Sequence, residues 1–284
     1  MDNSVQYFAG RNLVIATKHR KELVIGPPLK AAFGLDYFSS DSLDTDLLGT
    51  FSGEIERLHN PMDTARIKCN MAMDIHQVDM AISSEGSFGS HPHLFFLPAD
   101  EEYLMLIDRK NDLEIVVKTI TTDTNYESIT LISTENLQQF LTRVKFPSHG
   151  IILRKSSKDF TGIEKGIVCE NILYDRVDFY IKKYGQCFLE TDMRAMFNPT
   201  RMEVIKNLVN DLIIEMNRIC PSCNFPGFSV SDVVRGLLCS HCHWPTKSVK
   251  ELVFTCKKCH FSSIEINAEK KMNEDPMYCE ICNP

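Results

Sequence analysis

Cysteines are the residues of this chain whose spacing most clearly predicts chemistry. Eight of the eleven cysteines form four Cys-x-x-Cys pairs in the C-terminal part of the chain. Each such pair can point two thiolates at one ion, and the intervals of 15 and 19 residues between pairs fall within the zinc-ribbon pattern. The predicted metal ligands are Cys220, Cys223, Cys239, Cys242, Cys256, Cys259, Cys279 and Cys282.

Four pairs can share two ions in more than one way. Sequential pairing is the simpler arrangement and is the one we expect, with the first two pairs on one Zn²⁺ and the last two on another. Interleaved pairing, first with third and second with fourth, would give a cross-braced module like those of ubiquitin-ligase domains. In either case four thiolates close each site, so both zinc ions are predicted to be structural. A tail this small needs such ligation to be stable.

The surroundings of the cysteines offer a second, weaker pattern. Trp244 and Phe254, with Lys247, Lys250, Lys257 and Lys258, are the residue types of an aromatic and basic nucleic-acid surface. From Ile219 onward, however, seven Lys/Arg are balanced by seven Asp/Glu. We therefore favour packing of the tail against the rest of the protein or a protein partner over nucleic acid. His241, His243 and His260 lie beside ligands, but the complete cysteine sets leave them no predicted role.

The first 218 residues place acids and bases where predicted strands end. The strand Asn12 to Thr17 runs into Lys18, His19 and Lys21, a candidate phosphate cradle before a helix. The strand Val78 to Ser84 runs into a glycine-flanked turn with Glu85, which can serve as a metal ligand or base, or be an incidental acid of a glycine turn.

Two further segments supply acids and bases. Cys187 to Leu189 is followed by Asp192 and Arg194, and then by a helix from Pro199 with Asn198 as its N-cap and Arg201 in its first turn. An ion pair beside a capped helix would explain these residues without chemistry. The polar stretch 39–59 is predicted to be a long functional loop or a set of short irregular strands, in which Asp44, Asp46 and Glu54 are candidate ligands for a hard metal ion.

The order of the remaining patterns indicates the fold. Asn60 to His76 predicts a capped helix, and Tyr103 to Ile107 with Leu113 to Thr119 predicts a β-hairpin. Strands and helices alternate thereafter up to residue 218. We predict an α/β fold, a three-layer mixed sheet flanked by helices, over residues 1–218, followed by a pair of zinc ribbons over residues 219–284.

Composition excludes several classes of protein. The net charge of −7 argues against non-specific coating of nucleic acid, and no apolar run is long enough to span a bilayer. The N-terminus lacks the basic and apolar layout of a signal peptide. Cysteine pairs suited to metals indicate a reducing compartment, so a cytoplasmic location is expected, without a membrane partner. Oligomeric state is left open.

Five segments carry a family resemblance, namely 15–22 (IATKHRKE), 44–57 (DTDLLGTFSGEIER), 83–92 (SSEGSFGSHP), 107–111 (IDRKN) and 190–202 (ETDMRAMFNPTRM). Through them the chain resembles a bacterial family of unknown function that pairs an α/β domain with zinc ribbons. The resemblance spans nearly the full length and implies the same two-part organisation. It implies no activity.

A more distant resemblance concerns the first 90 residues, which are similar to the inosine/xanthosine triphosphate pyrophosphatase superfamily. Thr17 matches the hydroxyl of that superfamily's Thr/Ser-x-Asn-x-x-Lys loop, segment 63–66 resembles its helix start, and segment 85–87 resembles its acidic turn. The chain departs from the pattern with His19 in place of asparagine and Glu22 in place of lysine. Lys21 lies one residue early.

This second resemblance implies metal-assisted hydrolysis of a phosphoanhydride, such as that of a nucleoside triphosphate. Mg²⁺ or Mn²⁺ would be the cofactor, and a small phosphorylated molecule the substrate. Glu85 and Asp192 would act in catalysis, and Glu54 would be a further metal ligand. Substrate phosphates would be bound by Thr17, Lys18, His19, Lys21, Arg194 and Arg201.

A protein that is not an enzyme is the competing hypothesis. In it the ribbons dock a protein or RNA partner and the α/β domain serves as scaffold. The two hypotheses differ in geometry. An enzyme requires Glu85, Asp192 and the Lys18–Lys21 cluster to line one site, whereas an adaptor would expose apolar or basic surface on its ribbons.

Overall fold

A computed structural model describes residues 4–40, 43, 59–267 and 269–284. The chain forms two compact units, one of residues 9–213 and the other of residues 1–8 with 214–284. The described helices are α1 Val5–Phe8, α2 Glu22–Phe33, α3 Pro61–His76, α4 Leu137–Arg143, α5 Glu170–Tyr184 and α6 Pro199–Asn217. None of these helices has the length and apolar character needed to cross a membrane.

The larger unit is built around a five-stranded mixed sheet in the order β2-β1-β3-β4-β5. β1 runs parallel to β2 and β3, whereas β3, β4 and β5 form an antiparallel meander. Helix α3 packs its apolar side on this sheet through Ala65, Cys69 and Ala72, which contact Val14 and Met105. The strands are β1 Asn12–Ile15, β2 Asp36–Ser39, β3 Met80–Ser90, β4 Pro98–Asp108 and β5 Leu113–Thr121.

The strand order reverses at β1, because the chain goes from β1 to β2 on one side and returns to β3 on the other. β1 pairs with β3 only at Val14↔Ala81 and Ile15↔Ile82. Beyond Ile82, β3 continues for eight residues and the loop 17–21 runs beside it. Open α/β sheets bind ligands at such a reversal, outside the carboxyl ends of the parallel strands.

A second, antiparallel sheet in the order β6-β9-β7-β8 completes this unit. Helices α4 and α5 share its core with Leu153 and Leu189. Helix α6 begins directly after it, where the backbone N–H of Arg201 donates to Asn198 Oδ1 at 3.0 Å. The strands are β6 Ser128–Leu131, β7 Ile151–Arg154, β8 Glu164–Ile167 and β9 Cys187–Thr191.

The smaller unit carries a three-stranded antiparallel sheet in the order β10-β11-β12. Its strands are β10 Ser229–Arg235, β11 Val249–Thr255 and β12 Ser262–Ile266. Phe254, buried on the central strand, stacks near Phe228 with ring centroids 5.7 Å apart and lies under the guanidinium of Arg218. The apolar core of this sheet is therefore small.

The structure confirms the predicted class, since three sheets flanked by helices make a mixed α/β protein. The α/β part contains two separate sheets where the sequence predicted one. The Asn60 cap, the β4–β5 hairpin and the capped helix from Pro199 are confirmed. The predicted acidic turn at Glu85 is wrong, because β3 continues to Ser90 in register with β4 (Glu85↔Tyr103).

Candidate functional site

Each Cys-x-x-Cys pair forms a tight turn that aims two sulfurs in one direction. The backbone N–H four residues after the first cysteine donates to that cysteine's carbonyl in all four turns, at 2.8 to 3.0 Å. In three turns the residue after the second cysteine has a left-handed backbone, with φ of 57° at Asn224, 58° at His243 and 60° at His260. His243 and His260 are therefore turn residues, and the two metal-binding groups contain cysteines alone.

The cysteines assemble as two groups of four, and the expected sequential pairing is wrong. One group holds Cys220, Cys223, Cys256 and Cys259, and the other holds Cys239, Cys242, Cys279 and Cys282. Within each group the ligand atoms lie within 4.8 Å of one another. The interleaved arrangement, the alternative considered from the sequence, is the one the structure adopts.

The three-stranded sheet explains this pairing. The first and second pairs precede and follow β10, so they lie at opposite ends of a seven-residue strand about 23 Å long. β11 returns antiparallel, and Ser229↔Thr255 brings the third pair beside the first. β12 reverses again, and Glu274 then bridges to Cys239, which brings the fourth pair beside the second.

Both groups have the dimensions of a closed tetrahedral metal site. The sulfur separations between pairs are 3.6 and 3.7 Å in one group and 3.8 and 3.5 Å in the other. A tetrahedron of thiolates about 2.3 Å from a central ion has edges of roughly 3.8 Å. Four thiolates leave no open coordination position, so each group can hold a structural metal ion.

The aromatic and basic residues of the tail do not form one surface. Trp244 is about half exposed, whereas Phe254 is buried in the small core. Lys258 lies over the Phe225 ring at 4.8 Å, and Lys247 and Lys250 pair with neighbouring glutamates.

The larger unit gathers buried charges beyond the carboxyl end of β1, beside the middle of β3. Lys21, Lys68, Glu85, Glu102 and Arg201 are all at most 8% exposed. They come from the β1–α2 loop, α3, β3, β4 and α6, and we call them, with Asp100 and His19, the charged cluster. Burying an ion costs several kcal/mol unless it is paired, so such a concentration marks a candidate functional site.

Lys21 reaches across the gap that opens between β1 and β3. Its ammonium donates to Ser84 Oγ at 2.7 Å and to the Ser84 carbonyl at 3.0 Å, and lies 3.8 Å from Glu102 Oε1. Burial lowers the pKa of Lys21 to about 7, and the charge of Arg201 acts in the same direction, against Glu102 and Glu85. Because charging this buried amine is costly, its pKa should rise when a negatively charged group binds nearby.

Arg201 and Glu102 form the most deeply buried ion pair of the cluster. Arg201 Nε and Nη2 donate to the two carboxylate oxygens at 3.0 and 3.1 Å, and Nη1 donates to the Met193 carbonyl at 2.6 Å. The guanidinium also lies over the Phe88 ring, 5.1 Å from its centroid. A Cβ at Gly86 would overlap both Glu102 Oε2 and Arg201 Nη2. Gly86 therefore lets the pair lie flat on β3.

Glu85 and Lys68 lie on the other face of the sheet, because successive residues of a strand point to opposite sides. Lys68 Nζ is 2.5 Å from Glu85 Oε1, and the pair is nearly buried against α3. Glu85, predicted to bind metal or act as a base, is thus engaged by a lysine of α3.

His19 lies where the basic residues converge. Its backbone N–H donates to Thr17 Oγ1 at 3.1 Å, whereas the neighbouring Lys18 is exposed. Burial lowers the pKa of His19 to about 3, and the charges of Lys21, Arg201, Arg194 and Lys68 act in the same direction. The imidazole is therefore neutral, chiefly because it is buried, and the four nearby positive charges contribute to its low pKa.

Asp192 and Arg194 form a pair of their own beside the second sheet. Asp192 is fully buried and accepts hydrogen bonds from Arg194 Nε (3.0 Å), Arg194 Nη2 (2.6 Å) and the Gly166 N–H (3.0 Å). The described contacts of Asp192 involve Arg194 and those of Glu85 involve Lys68. No described contact therefore brings these two acids into one site, which is the arrangement expected of an enzyme that uses both. The remaining predicted metal ligand, Glu54, lies outside the described residues, as do Asp44 and Asp46.

Asp100 is, like Glu102, an acid of the cluster that the sequence did not single out. It is 1% exposed, and neither carboxylate oxygen has a hydrogen-bond partner in the described part of the chain. It precedes Glu102 by two residues on β4, so both point to the same face. Burial raises the pKa of Asp100 to about 7, and the charge of Glu102 raises it further against Arg201 and Lys21. The alternation of β4 was the only sequence signal for this acid.

Comparison with known protein families gives a match over most of the chain. The model of a domain of unknown function (DUF6671) matches residues 68–284, about three quarters of the chain, including all eight cysteines of the two groups. No curated protein matches the chain.

The cross-braced pairing predicts how metal content responds to double substitutions. Cys220→Ser with Cys256→Ser removes two ligands of one group, so the chain should retain one of its two metal ions. Cys220→Ser with Cys239→Ser damages both groups and should leave none. Metal per chain, measured by atomic emission on purified protein, checks this. Sequential pairing gives the opposite results for the two variants.

Neither carboxylate oxygen of Asp100 has a hydrogen-bond partner among the described residues, so we predict that removing its charge stabilises the protein. Its folded pKa of about 7 lies above the ordinary value of 3.8, so the wild type loses stability as pH rises through about 7. Asp100→Asn should raise the free energy of unfolding at pH 8 by on the order of 1–3 kcal/mol, and by less at about pH 5.5. Denaturant unfolding at the two pH values measures this, with Glu101→Gln on the opposite face as control. A destabilised Asp100→Asn at pH 8 would contradict it.

Proposed function

The chain belongs to the DUF6671 family, and we propose that its larger unit is a metal-dependent hydrolase of a phosphoanhydride, such as that of a nucleoside triphosphate. The observation that carries this proposal is the convergence of Lys21, Lys68, Arg194 and Arg201 around a neutral His19. A buried positive potential of this kind favours a polyanion over water.

The position of the cluster supports the same proposal. It lies where the strand order reverses at β1, and phosphorylated ligands of open α/β sheets bind at such points. The distant likeness to inosine/xanthosine triphosphate pyrophosphatases rests on Thr17 in the loop after β1. Thr17 Oγ1 accepts a hydrogen bond from the His19 N–H. This bond stabilises the loop that carries Lys18 and Lys21.

The roles we propose follow from the contacts. Lys21 and His19 would face the phosphates, with Lys18 at the exposed rim. Glu85 and Asp192 would act as positioning residues, since they hold Lys68 and Arg194. Arg201 donates hydrogen bonds to Glu102 and to the Met193 carbonyl, so it would contribute its positive charge to the site without contacting the phosphates. A divalent ion would screen the phosphate oxygens.

The reaction would be an addition of water to phosphorus. The new bond joins the water oxygen to phosphorus as the bridging P–O bond breaks, and the bridging oxygen leaves on the other phosphate. One water proton passes to the products or to solvent. Cations fixed around the phosphates would stabilise the negative charge that shifts to the leaving oxygen.

For the tail we propose two structural Zn²⁺ ions. Closed sets of four thiolates with these separations suit zinc. All cysteines of the chain are free of disulfides, which fits a reducing compartment and the expected cytoplasmic location.

A second candidate function, a non-enzymatic adaptor, is favoured by the surface of the smaller unit. Edge strand β12 exposes Ile264 and Ile266 by 62% and 57%. A groove of about 560 Å³ is lined in part by Leu252 and Tyr278. Such a surface fits a protein partner better than RNA, because the lysines around it are paired with acids.

The hydrolase proposal predicts release of phosphate or pyrophosphate from at least one nucleoside triphosphate with Mg²⁺ or Mn²⁺. Lys21→Met should lower kcat by about 100-fold or more, the usual effect of removing a group that stabilises charge in the transition state. Lys30→Met, on the exposed side of α2, the helix that Lys21 precedes, is the matched control and should be unchanged, since Lys30 is paired with Asp36. The full-length protein loaded with zinc is assayed against a nucleotide panel. No release by the wild type would leave the adaptor as the better account. Full activity of Lys21→Met would reject the role proposed for Lys21 in the reaction.

A further inference from the structure

We propose that Asp100 is the principal protein ligand of a divalent cation, Mg²⁺ or Mn²⁺, bound at the open end of β4 beside Glu102. This places the metal on a residue other than Glu85, Glu54 or Asp192, the acids that the sequence indicated. The inference deepens the proposed function, but cation binding is measured without turnover.

The first argument is that the other acids of the cluster have basic partners. Glu85 lies 2.5 Å from Lys68, and Glu102 accepts both hydrogen bonds of Arg201. Asp192 is held by Arg194. Asp100 is equally buried, yet neither of its oxygens has a hydrogen bond within the described residues. Among the described acids of the cluster, Glu85 Oε1 also lacks a hydrogen bond but is ion-paired with Lys68, whereas both oxygens of Asp100 lack a hydrogen bond and no ion pair is seen.

The second argument is energetic. An ionised carboxylate in a buried position costs several kcal/mol when nothing compensates its charge. A proton or a cation can compensate it. Glu102 lies two residues away on the same face, about 7 Å along the strand, so the local field at Asp100 includes a second negative charge. A divalent ion beside Asp100 would be attracted by both acids, and the charges of Arg201 and Lys21 would oppose that attraction.

The third argument concerns what else such an ion requires. Mg²⁺ keeps several waters and takes only one or two carboxylates from proteins, the remainder coming from substrate phosphates. One principal carboxylate, close to the cations proposed to face the phosphates, meets this requirement. Asp100 also lies opposite Phe88 on β3, near the end of the strand that extends beyond β1. Asp100 also pairs with Thr121 of β5, so the site lies near the start of β4, between two neighbouring strands.

Mn²⁺ is the probe, because its electron paramagnetic resonance signal distinguishes free from bound ion. The full-length protein with zinc in both cysteine groups is titrated at about pH 8, where Asp100 is ionised. We expect one Mn²⁺ per chain for the wild type. Asp100→Asn should weaken binding at least 10-fold, and Glu101→Gln, the adjacent acid on the opposite face, should bind as the wild type does.

The variant is expected to fold, since it removes a buried charge. Circular dichroism and the unfolding midpoint verify this. Mg²⁺ should raise the midpoint of the wild type but not that of Asp100→Asn. No bound Mn²⁺ up to about 10 mM in the wild type would overturn the proposal. So would equal binding by wild type and Asp100→Asn, or equal weakening in both variants.

These outcomes are separable from those of the hydrolase assay. Mn²⁺ binding that depends on Asp100, with no nucleotide hydrolysed, keeps the cation site and rejects the reaction. Hydrolysis that requires Mg²⁺ or Mn²⁺ but is the same in the wild type and in Asp100→Asn, with equal Mn²⁺ binding by both, keeps the reaction and rejects the site.

Discussion

The buried ion pair between Arg201 and Glu102 is the interaction on which the charged cluster depends. It joins the first turn of α6 to the middle of the five-stranded sheet, and its third donor holds the Met193 carbonyl. Both side chains are fully buried, so losing either partner would leave an unpaired charge inside, at a cost of roughly 3–5 kcal/mol. The pair fits only because β3 has Gly86 opposite Glu102.

This constraint determines the electrostatics around it. Glu102 is taken by Arg201, which leaves Lys21 only a longer contact with the same carboxylate and holds its ammonium on Ser84. Arg201 contributes its charge to the field at His19 without being exposed. The same acid adds to the field that raises the pKa of Asp100. One buried pair thus leaves a positive region toward the loop after β1 and an unsatisfied carboxylate toward the start of β4.

Local patterns in the sequence predicted local structure well. Asn60 and Asn198 cap helices through hydrogen bonds that depend on residues three positions away, and the β4–β5 hairpin follows from alternation within one segment. Features set by distant pairing were missed. The sequence around Glu85 resembles a glycine turn, and the pairing of β3 with β4 shows that it is a strand. Asp100 stands out as an acid without a basic partner only because Arg201 of α6 pairs with Glu102. The cysteine pairing is likewise determined by the antiparallel order of β10, β11 and β12. The spacing of the cysteines alone does not predict that order.

The central claim is that the loop after β1 lies in a positive potential made by side chains from separate elements, and that this potential serves to bind phosphate. The most direct test is a nuclear magnetic resonance titration of the His19 imidazole, assigned with His19→Gln, with and without pyrophosphate. Our account predicts that His19 stays neutral down to about pH 4 in the free protein, because its pKa is about 3, and that pyrophosphate raises this pKa. Ordinary titration near pH 6.5, unchanged by pyrophosphate, would contradict it.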